Sequence, residues 1–370
     1  MRISYFNIQP LYQFLKQQLH GRLVVKNNIL SITYLRAIAC MLVVVCHAES
    51  FSAKLTPAYF TGLFGYGGAV GKLGVYLFFM ISGYLMACVH WEDFGQGKMG
   101  LFVKKRLVRI LPMYYLFTLI TIMAWVVNPG WFPSTILTPI DDILSLLFIP
   151  SVYIKELDTL TPVLSVGWTL CYEMLFYLVF AVGMLFSRRS GMQFIFITIV
   201  ALVVCGALAN PRQPWSQFYT NEIMLYFLSG ISCFMLQKRL SQRYAHSALS
   251  LTVIVVLLAI STLWLQGFPQ LLLLSLCFFM LTGLEFSSGR QTRLTRIATG
   301  IGLASYSIYL CHRLFMGALE KVLHVLIPTP GTVTLYLAMV ILSVASAVVG
   351  YLIYWLIEKR TTMAFRFKAG

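Results

Sequence analysis

Apolar residues dominate this chain in long runs separated by shorter polar connections. Each run is about long enough for a helix to cross ~30 Å of hydrocarbon. The pattern therefore predicts an all-α fold, a polytopic membrane helical bundle of about ten transmembrane helices. The runs lie at positions 31 to 49, 70 to 89, 108 to 127, 164 to 186, 192 to 209, 221 to 237, 247 to 265, 269 to 286, 299 to 322 and 333 to 357.

Composition and charge placement agree with a membrane protein. Of the 370 residues, 59% are hydrophobic and only 11% are charged, whereas soluble domains average about a quarter charged residues. The net charge of +16 would also suit a nucleic-acid partner. With a cytoplasmic N-terminus, however, the cytoplasmic segments hold 21 of the 28 basic residues and the outer loops hold Lys54, Lys155 and Arg212. The bias of basic residues toward the cytoplasm explains the charge without nucleic acid and places both termini in the cytoplasm.

The chain divides into an arm, a membrane domain and a tail. Residues 1–28 have no long apolar core and no small-residue cleavage pattern, so we expect a cytoplasmic or interfacial arm. Residues 29–358 form the membrane domain and 359–370 a basic cytoplasmic tail. The eight cysteines fall inside the apolar runs without C-x-x-C spacing, which argues against a disulfide framework and against a metal site.

One connection, 128–163, is long and rich in proline. Such loops either bind or cover something or are structured connections, and both interpretations are open. Its stretch DDILSLLFIP predicts a short interfacial or re-entrant helix.

Two ionisable side chains share one face of the first predicted span. Arg36 and His47 are eleven residues apart, which on a helix is three turns and about 16 Å along the axis. Ionisable groups at membrane depth are costly and usually face a bundle interior or a wet cavity. Each also has a structural explanation, since Arg36 can reach lipid phosphate and a lone histidine can form an interhelical hydrogen bond.

Later spans carry further ionisable groups at comparable depth. The predicted topology puts His47, Glu173 and His312 in the outer half of the membrane and Arg36 in the inner half. Pairing of Glu173 with Arg36 or with Arg313 is an alternative to a catalytic role.

Five motifs in a fixed order give the pattern its specificity. They are YLRAIACMLVVVCH, GVYLFFMISGYLM, KKRLVRILPMYY, VGWTLCYEMLFY and SYSIYLCH. Together they resemble the acyltransferase-3 family of integral-membrane O-acyltransferases, over positions 31 to about 358. The sequence is most similar to the stand-alone members that acetylate exopolysaccharide or lipopolysaccharide. It departs from the family in ending its last span with IEKR, where many members have a proline. We also expect it to lack the SGNH-type domain that some members carry after the membrane domain.

The resemblance implies a donor, acyl-CoA and in particular acetyl-CoA, and no metal. Arg36, Lys105, Arg106 and Arg109 are the candidates for holding its phosphates, because guanidinium groups bind phosphate bidentately. The alternative for the loop residues is the cytoplasmic charge bias. The 16 Å from Arg36 to His47 is comparable with an extended pantetheine arm.

His47 is the candidate general base, because an imidazole can take a proton from an attacking sugar hydroxyl near neutral pH. Glu173 is the second catalytic candidate, as a group that orients or charge-balances the imidazole. A structural histidine, and an acyl-imidazole intermediate, remain alternatives for His47. Four residues are assigned to acceptor or transition-state support, with packing or membrane anchoring as the alternative. They are Tyr84, Trp168, Tyr309 and His312.

The expected function is thus transfer of an acyl group from cytoplasmic acyl-CoA to a hydroxyl of an extracytoplasmic polysaccharide or lipid-linked glycan precursor. The expected location is the bacterial inner membrane, with lipid, the glycan acceptor and polysaccharide biosynthesis machinery as partners. A transporter or flippase of a lipid-linked sugar or acyl carrier is the rival class, because intramembrane charge also marks transport paths. A non-catalytic assembly partner is a third, and it would tolerate loss of His47.

Overall fold

The structure is a computed structural model that describes residues 24–56, 67–131, 137–154, 159–240, 244–245, 248–285 and 292–367. The predicted interfacial arm lies almost wholly outside these residues. The last residues of the predicted tail and parts of the long outer connection also lie outside them.

All ten predicted runs coincide with helices in the described part of the chain. Most helices start or end a few residues from the predicted bounds. They are α1 (Val24–Ala53), α2 (Gly67–His90), α3 (Met99–Val127), α5 (Trp168–Gly183), α6 (Arg188–Ala209), α8 (Leu225–Leu240), α9 (Ala248–Trp264), α10 (Phe268–Gly283), α11 (Arg293–Leu326) and α12 (Thr332–Ile353).

Short elements connect these helices. The predicted interfacial helix appears as α4 (Pro139–Leu146), whose start is capped by Thr138 and Asp141. The others are α7 (Pro214–Tyr219), α13 (Lys359–Phe367), the 3₁₀ turns Pro129–Trp131, Ser165–Gly167 and Glu222–Met224, the π-helical turn Tyr354–Glu358, and four strands, β1 (Val152–Ile154), β2 (Thr159–Thr161), β3 (Tyr244–Ala245) and β4 (Leu284–Glu285). Strands β1 and β2 pair antiparallel, and β3 and β4 pair parallel.

The chain is a multi-pass membrane protein. Among the described residues, six helices are long and apolar enough to cross a membrane: α1, α2, α3, α5, α6 and α12. Helix α11 has 34 residues but carries many polar side chains, including Ser305, Ser307, His312 and Arg313, which lower its hydropathy. Polar residues within a span usually face the bundle interior, and Ser305, Ser307 and His312 are all fully buried.

Helix α1 lies at the centre of the bundle and packs against α2, α11 and α12. Its contact with α11 depends on Gly302, where an added Cβ would lie 2.1 Å from the Thr33 carbonyl oxygen. Small residues let membrane helices approach this closely. The close approach brings Arg36 of α1 within hydrogen-bonding distance of Ser305 on α11.

We expect the substitution Gly302→Ala to lower the thermal stability of the protein in detergent. The new methyl group would overlap backbone of α1, which cannot move without separating the two helices, and overpacking of this kind costs about 1 to 3 kcal/mol. Gly317→Ala on the same helix is the control, because its Cβ would make an ordinary 3.6 Å contact with Phe51. Equal melting temperatures for both variants would contradict this account of the α1–α11 contact.

Candidate functional site

The predicted stripe on α1 faces helix α11. Arg36 donates through Nε and Nη2 to the Ser305 hydroxyl, at 3.2 and 2.9 Å. Three turns further along α1, the His47 ring packs edge-on against the His312 ring with centroids 4.9 Å apart. The prediction that Arg36 and His47 share a helix face is therefore confirmed, and a single helix supplies the partners of both.

Hydrogen-bond partners define the proton positions of this histidine pair. His312 Nδ1 lies 2.7 Å from the Tyr309 carbonyl oxygen, and His47 Nδ1 lies 2.9 Å from the Val43 carbonyl oxygen. A carbonyl oxygen only accepts, so each ring carries its proton on Nδ1 when neutral. The unprotonated His312 Nε2 then lies 3.4 Å from His47 Nδ1 as a second acceptor. The lone pair of neutral His47 is thereby left on Nε2, which makes no hydrogen bond with any described residue.

The three arginines predicted to bind the donor line one cavity. Arg36 enters it from α1, and Arg106 and Arg109 enter from α3, so the two residues of the R-x-x-R motif do share one face. The cavity has a volume of about 100 Å³ and is partly open. Its positive charge is offset in part by Glu173. This combination of convergent arginines and an open mouth suits an anionic ligand.

Glu173 lies in this arginine cavity. Its carboxylate accepts hydrogen bonds from the hydroxyls of Ser82, at 3.0 Å, and Tyr177. Among the described residues, the partners of the His47 ring are instead Val43 and His312. The structure thus brings Glu173 together with the predicted donor-binding arginines rather than with the predicted base.

The four predicted support residues occupy different surroundings. Tyr309 lines the arginine cavity one helical turn before His312, and its hydroxyl bonds Thr169 at 2.9 Å. Trp168 packs edge-on against Tyr172 outside the cavity lining.

Tyr84 and Lys105 lie away from the cavity lining. Tyr84 is buried in the core between α2, α8 and α10, where it packs against Phe234 and Phe278 and donates to Gln237. Its contacts are those of a packing residue. The Lys105 side chain is exposed beside the motif, so it does not converge with Arg106 and Arg109.

Sequence reasoning missed two buried polar groups near the arginines. Glu358 is buried in the π-helical turn and accepts from Ser307 at 2.6 Å. His90, at the end of α2, lies 3.4 Å from Arg106. The three-residue spacing of His90 and Asp93 was a local signal for their contact, but nothing in the sequence connects either residue to α3.

Within the described ranges, no three His, Cys, Asp or Glu side chains come together as a potential metal site.

Comparisons with known proteins agree with the motifs. A family model described as an acyltransferase domain matches residues 29–355. The chain is 31% identical over 260 residues to the exopolysaccharide production protein ExoZ of Rhizobium meliloti (strain 1021), covering 70% of this chain and 80% of the relative.

Two further relatives are more distant. Protein 2 in the picA locus of Rhizobium radiobacter is 26% identical over 194 residues, which cover 47% of this chain and 92% of that protein. An O-acetyl transferase of Shigella phage Sf6 is 27% identical over 213 residues, covering 54% of this chain and 58% of the relative. No solved structure matches the chain.

Proposed function

The chain belongs to the acyltransferase-3 family, and from this premise we propose that it is an acyl-CoA-dependent O-acetyltransferase of extracytoplasmic glycans. That it is a membrane O-acyltransferase follows from the family and the relatives. The donor, the acceptor and the direction of transfer across the membrane are the proposal.

One observation carries the proposal: a cavity with three arginines and a histidine with a free Nε2 lone pair lie along the same α1–α11 interface. Acyl transfer from a phosphorylated carrier needs both features. The arginines hold the charged end of the donor, and the histidine removes the proton of the acceptor. The separation of about 16 Å along α1 between Arg36 and His47 allows one extended donor molecule to reach both.

The charge of the cavity favours a phosphate-bearing donor. Arg36, Arg106 and Arg109 can each make paired hydrogen bonds to phosphate oxygens. Arg106 supports this role further, because its Nε is buried and has no partner among the described residues. A buried donor without an acceptor is costly, and a bound oxyanion would satisfy it. A part for the exposed Lys105 in attracting the donor stays a prediction.

The transfer step uses the neutral form of His47. Nε2 takes the proton of the acceptor hydroxyl as the hydroxyl oxygen forms a bond to the thioester carbonyl carbon. The tetrahedral intermediate then collapses, the carbon–sulfur bond breaks, and the proton on His47 Nε2 passes to the departing CoA thiolate. His312 holds the base in the correct tautomer through its contact with His47 Nδ1. Glu173 balances the charge of the arginine cavity when the donor is absent.

The names of the relatives support an acceptor class and an acyl group for the proposal. One is named for exopolysaccharide production and another as an O-acetyl transferase. Their names favour a polysaccharide or its lipid-linked precursor as acceptor and acetyl-CoA as donor. The distribution of basic loop residues favours the arginine cavity opening to the cytoplasm, with the histidine pair in the outer half of the bacterial inner membrane.

We expect inverted membrane vesicles that contain the protein to transfer label from added [¹⁴C]acetyl-CoA to endogenous glycan. Sealed right-side-out vesicles should not, because external acetyl-CoA cannot reach a cytoplasmic cavity. Mass spectrometry would identify the modified sugar hydroxyl, and vesicles with the His47→Ala variant provide the background. Equal labelling in both orientations would contradict the proposed topology, and no glycan labelling above background in either would contradict the proposed function.

A further inference from the structure

A chain of polar contacts leads from the surface to Arg106. The guanidinium of Arg106 packs against two mutually perpendicular aromatic rings, with Cζ 5.7 Å from the Phe102 ring centroid and 5.8 Å from the Tyr177 ring centroid. Aromatic faces hold a guanidinium but do not set its rotation. Beside these rings, Arg106 Nη2 donates to His90 Nε2 at 3.4 Å, and this contact is directional.

The hydrogen bonds of His90 allow only one protonation state. An arginine offers donors only, so the His90 Nε2 that faces it must carry a lone pair. The ring proton then lies on Nδ1, which donates to Asp93 Oδ2 at 2.8 Å. A doubly protonated His90 ring, or a neutral ring with its proton on Nε2, would turn an N–H toward the guanidinium. His90 is 3% exposed, so water cannot replace either contact.

Asp93 is itself held as an ionised acceptor. Lys98 donates to its other carboxylate oxygen at 2.6 Å. Burial opposes ionisation of Asp93, but the hydrogen bonds from Lys98 and His90 outweigh it and lower the pKa of this carboxyl. Asp93 therefore remains charged as pH falls until that lowered pKa is reached.

The segment that carries Asp93 is anchored to two neighbouring helices. Glu92 forms ion pairs with Arg188 of α6, at 2.9 Å, and Lys238 of α8, at 3.4 Å. The same two cations lie over the ring of Trp91, at 5.1 and 4.7 Å from its centroid. The Asp93 carboxylate is thus presented to His90 by a fixed turn.

We propose that His90, oriented by Asp93, is a positioning residue that fixes the guanidinium of Arg106 for a phosphate group of the acyl-CoA donor. The inference rests on the proposed function and adds to it a buried histidine that does not touch the cavity. With one Nη2 hydrogen committed to His90, the unpartnered Nε of Arg106 remains available for the ligand. A histidine that only filled space would need neither the fixed tautomer nor the Lys98–Asp93 pair behind it.

Two substitutions of His90 separate positioning from packing. The side-chain amide of glutamine reaches about as far as Nε2, so its oxygen can accept from Arg106, whereas that of asparagine reaches about as far as Nδ1 and serves only Asp93. We expect His90→Asn to raise the Kd for acetyl-CoA about five- to ten-fold and His90→Gln to stay within about two-fold of the parent protein. Both are measured by isothermal titration calorimetry on the full chain in detergent.

A phosphate-free donor tests whether the loss is specific. Binding of S-acetylpantetheine should be equal in His90→Asn and parent protein, because only phosphate recognition depends on Arg106. Asp93→Ala should weaken acetyl-CoA binding as His90→Asn does, whereas Gln96→Ala, an exposed change in the same turn, should leave it unchanged.

The outcomes distinguish this inference from the proposed function. Equal effects of His90→Asn and His90→Gln, or equal losses for acetyl-CoA and S-acetylpantetheine, would assign His90 a purely structural role. If neither His90 variant changes the Kd while Arg106→Ala does, the positioning role fails and the donor site stands. If Arg106→Ala also binds acetyl-CoA as the parent does, the proposed donor site itself is wrong. Asp93→Ala, a change at a half-buried position, keeps the test decisive should the buried His90 variants not fold.

Discussion

Replacement of His47 with alanine should abolish acetyl transfer while leaving acetyl-CoA binding intact. A general base contributes about 10²- to 10⁴-fold to the rate, so the turnover number should fall by at least a factor of about one hundred. The Kd for acetyl-CoA should change little, because His47 lies beyond the residues that line the arginine cavity. Arg36→Ala should show the opposite pattern, with weakened donor binding as its main effect.

A more conservative change isolates the proton acceptor. His47→Asn can retain an N–H directed at the Val43 carbonyl oxygen and His312 but has no group at the position of Nε2. We expect it to be as inactive as His47→Ala, at a melting temperature closer to that of the parent. His324→Ala, which removes an exposed histidine from α11, is the matched control and should retain full activity.

The rate of acetyl transfer per folded molecule of His47→Ala decides whether His47 is a general base or a structural histidine. If folded His47→Ala protein transfers acetyl groups to glycan within ten-fold of the parent rate, His47 is structural and the central assignment fails. The parent protein tests the covalent alternative, with His47→Ala as the control that cannot form the adduct. Direct attack predicts no acetylated protein when acetyl-CoA is supplied without acceptor, whereas an acyl-imidazole route predicts a transient adduct on His47 that intact-protein mass spectrometry would detect.

Removal of either arginine of the R-x-x-R motif should produce the second large effect. Arg106→Ala and Arg109→Ala should each weaken acetyl-CoA binding about ten- to one-hundred-fold, because a charge-assisted hydrogen bond contributes roughly 1.5 to 3 kcal/mol. Lysine at either position should restore part of this affinity, since it supplies the charge without the bidentate geometry. Equilibrium binding of acetyl-CoA to the purified variants measures both effects.

The matched control for these arginines is Lys104→Ala. Lys104 belongs to the same basic segment, and its substitution removes the same charge from an exposed position. It should leave the Kd for acetyl-CoA unchanged. An equal loss of acetyl-CoA affinity in all three alanine variants would mean that the segment attracts the donor only through its overall charge. Unchanged affinity in all three would leave only the cytoplasmic charge bias to explain the motif.

The sequence by itself determined the helical architecture and the placement of two ionisable side chains on one face of α1. Apolar runs of sufficient length cannot leave their backbone groups unpaired in lipid, so they must form helices, and each of the ten became one. The placement of Arg36 and His47 on one face of α1 likewise follows from helical periodicity alone. The convergence of Arg106 and Arg109 follows from the same rule, because residues three apart are neighbours on a helix surface.

Only the tertiary structure decided which distant groups meet. The pairing of His47 with His312, and of Arg36 with Ser305, depends on the close approach of α1 and α11 at Gly302. A small residue permits such an approach but does not select its partner helix.

The same limit applies to the surroundings of Glu173 and Tyr84. The motif of the fourth span singled out Glu173 as a catalytic candidate, and the packing of α5 beside α2 and α3 directs its carboxylate to Ser82 and the arginine cavity. Tyr84 was assigned from its motif and lies in the core. Helical periodicity defines the face on which a residue lies. The group that the residue contacts is set by the packing of helices that are far apart in sequence. The contact of His90 with Arg106 was therefore visible only in the folded protein.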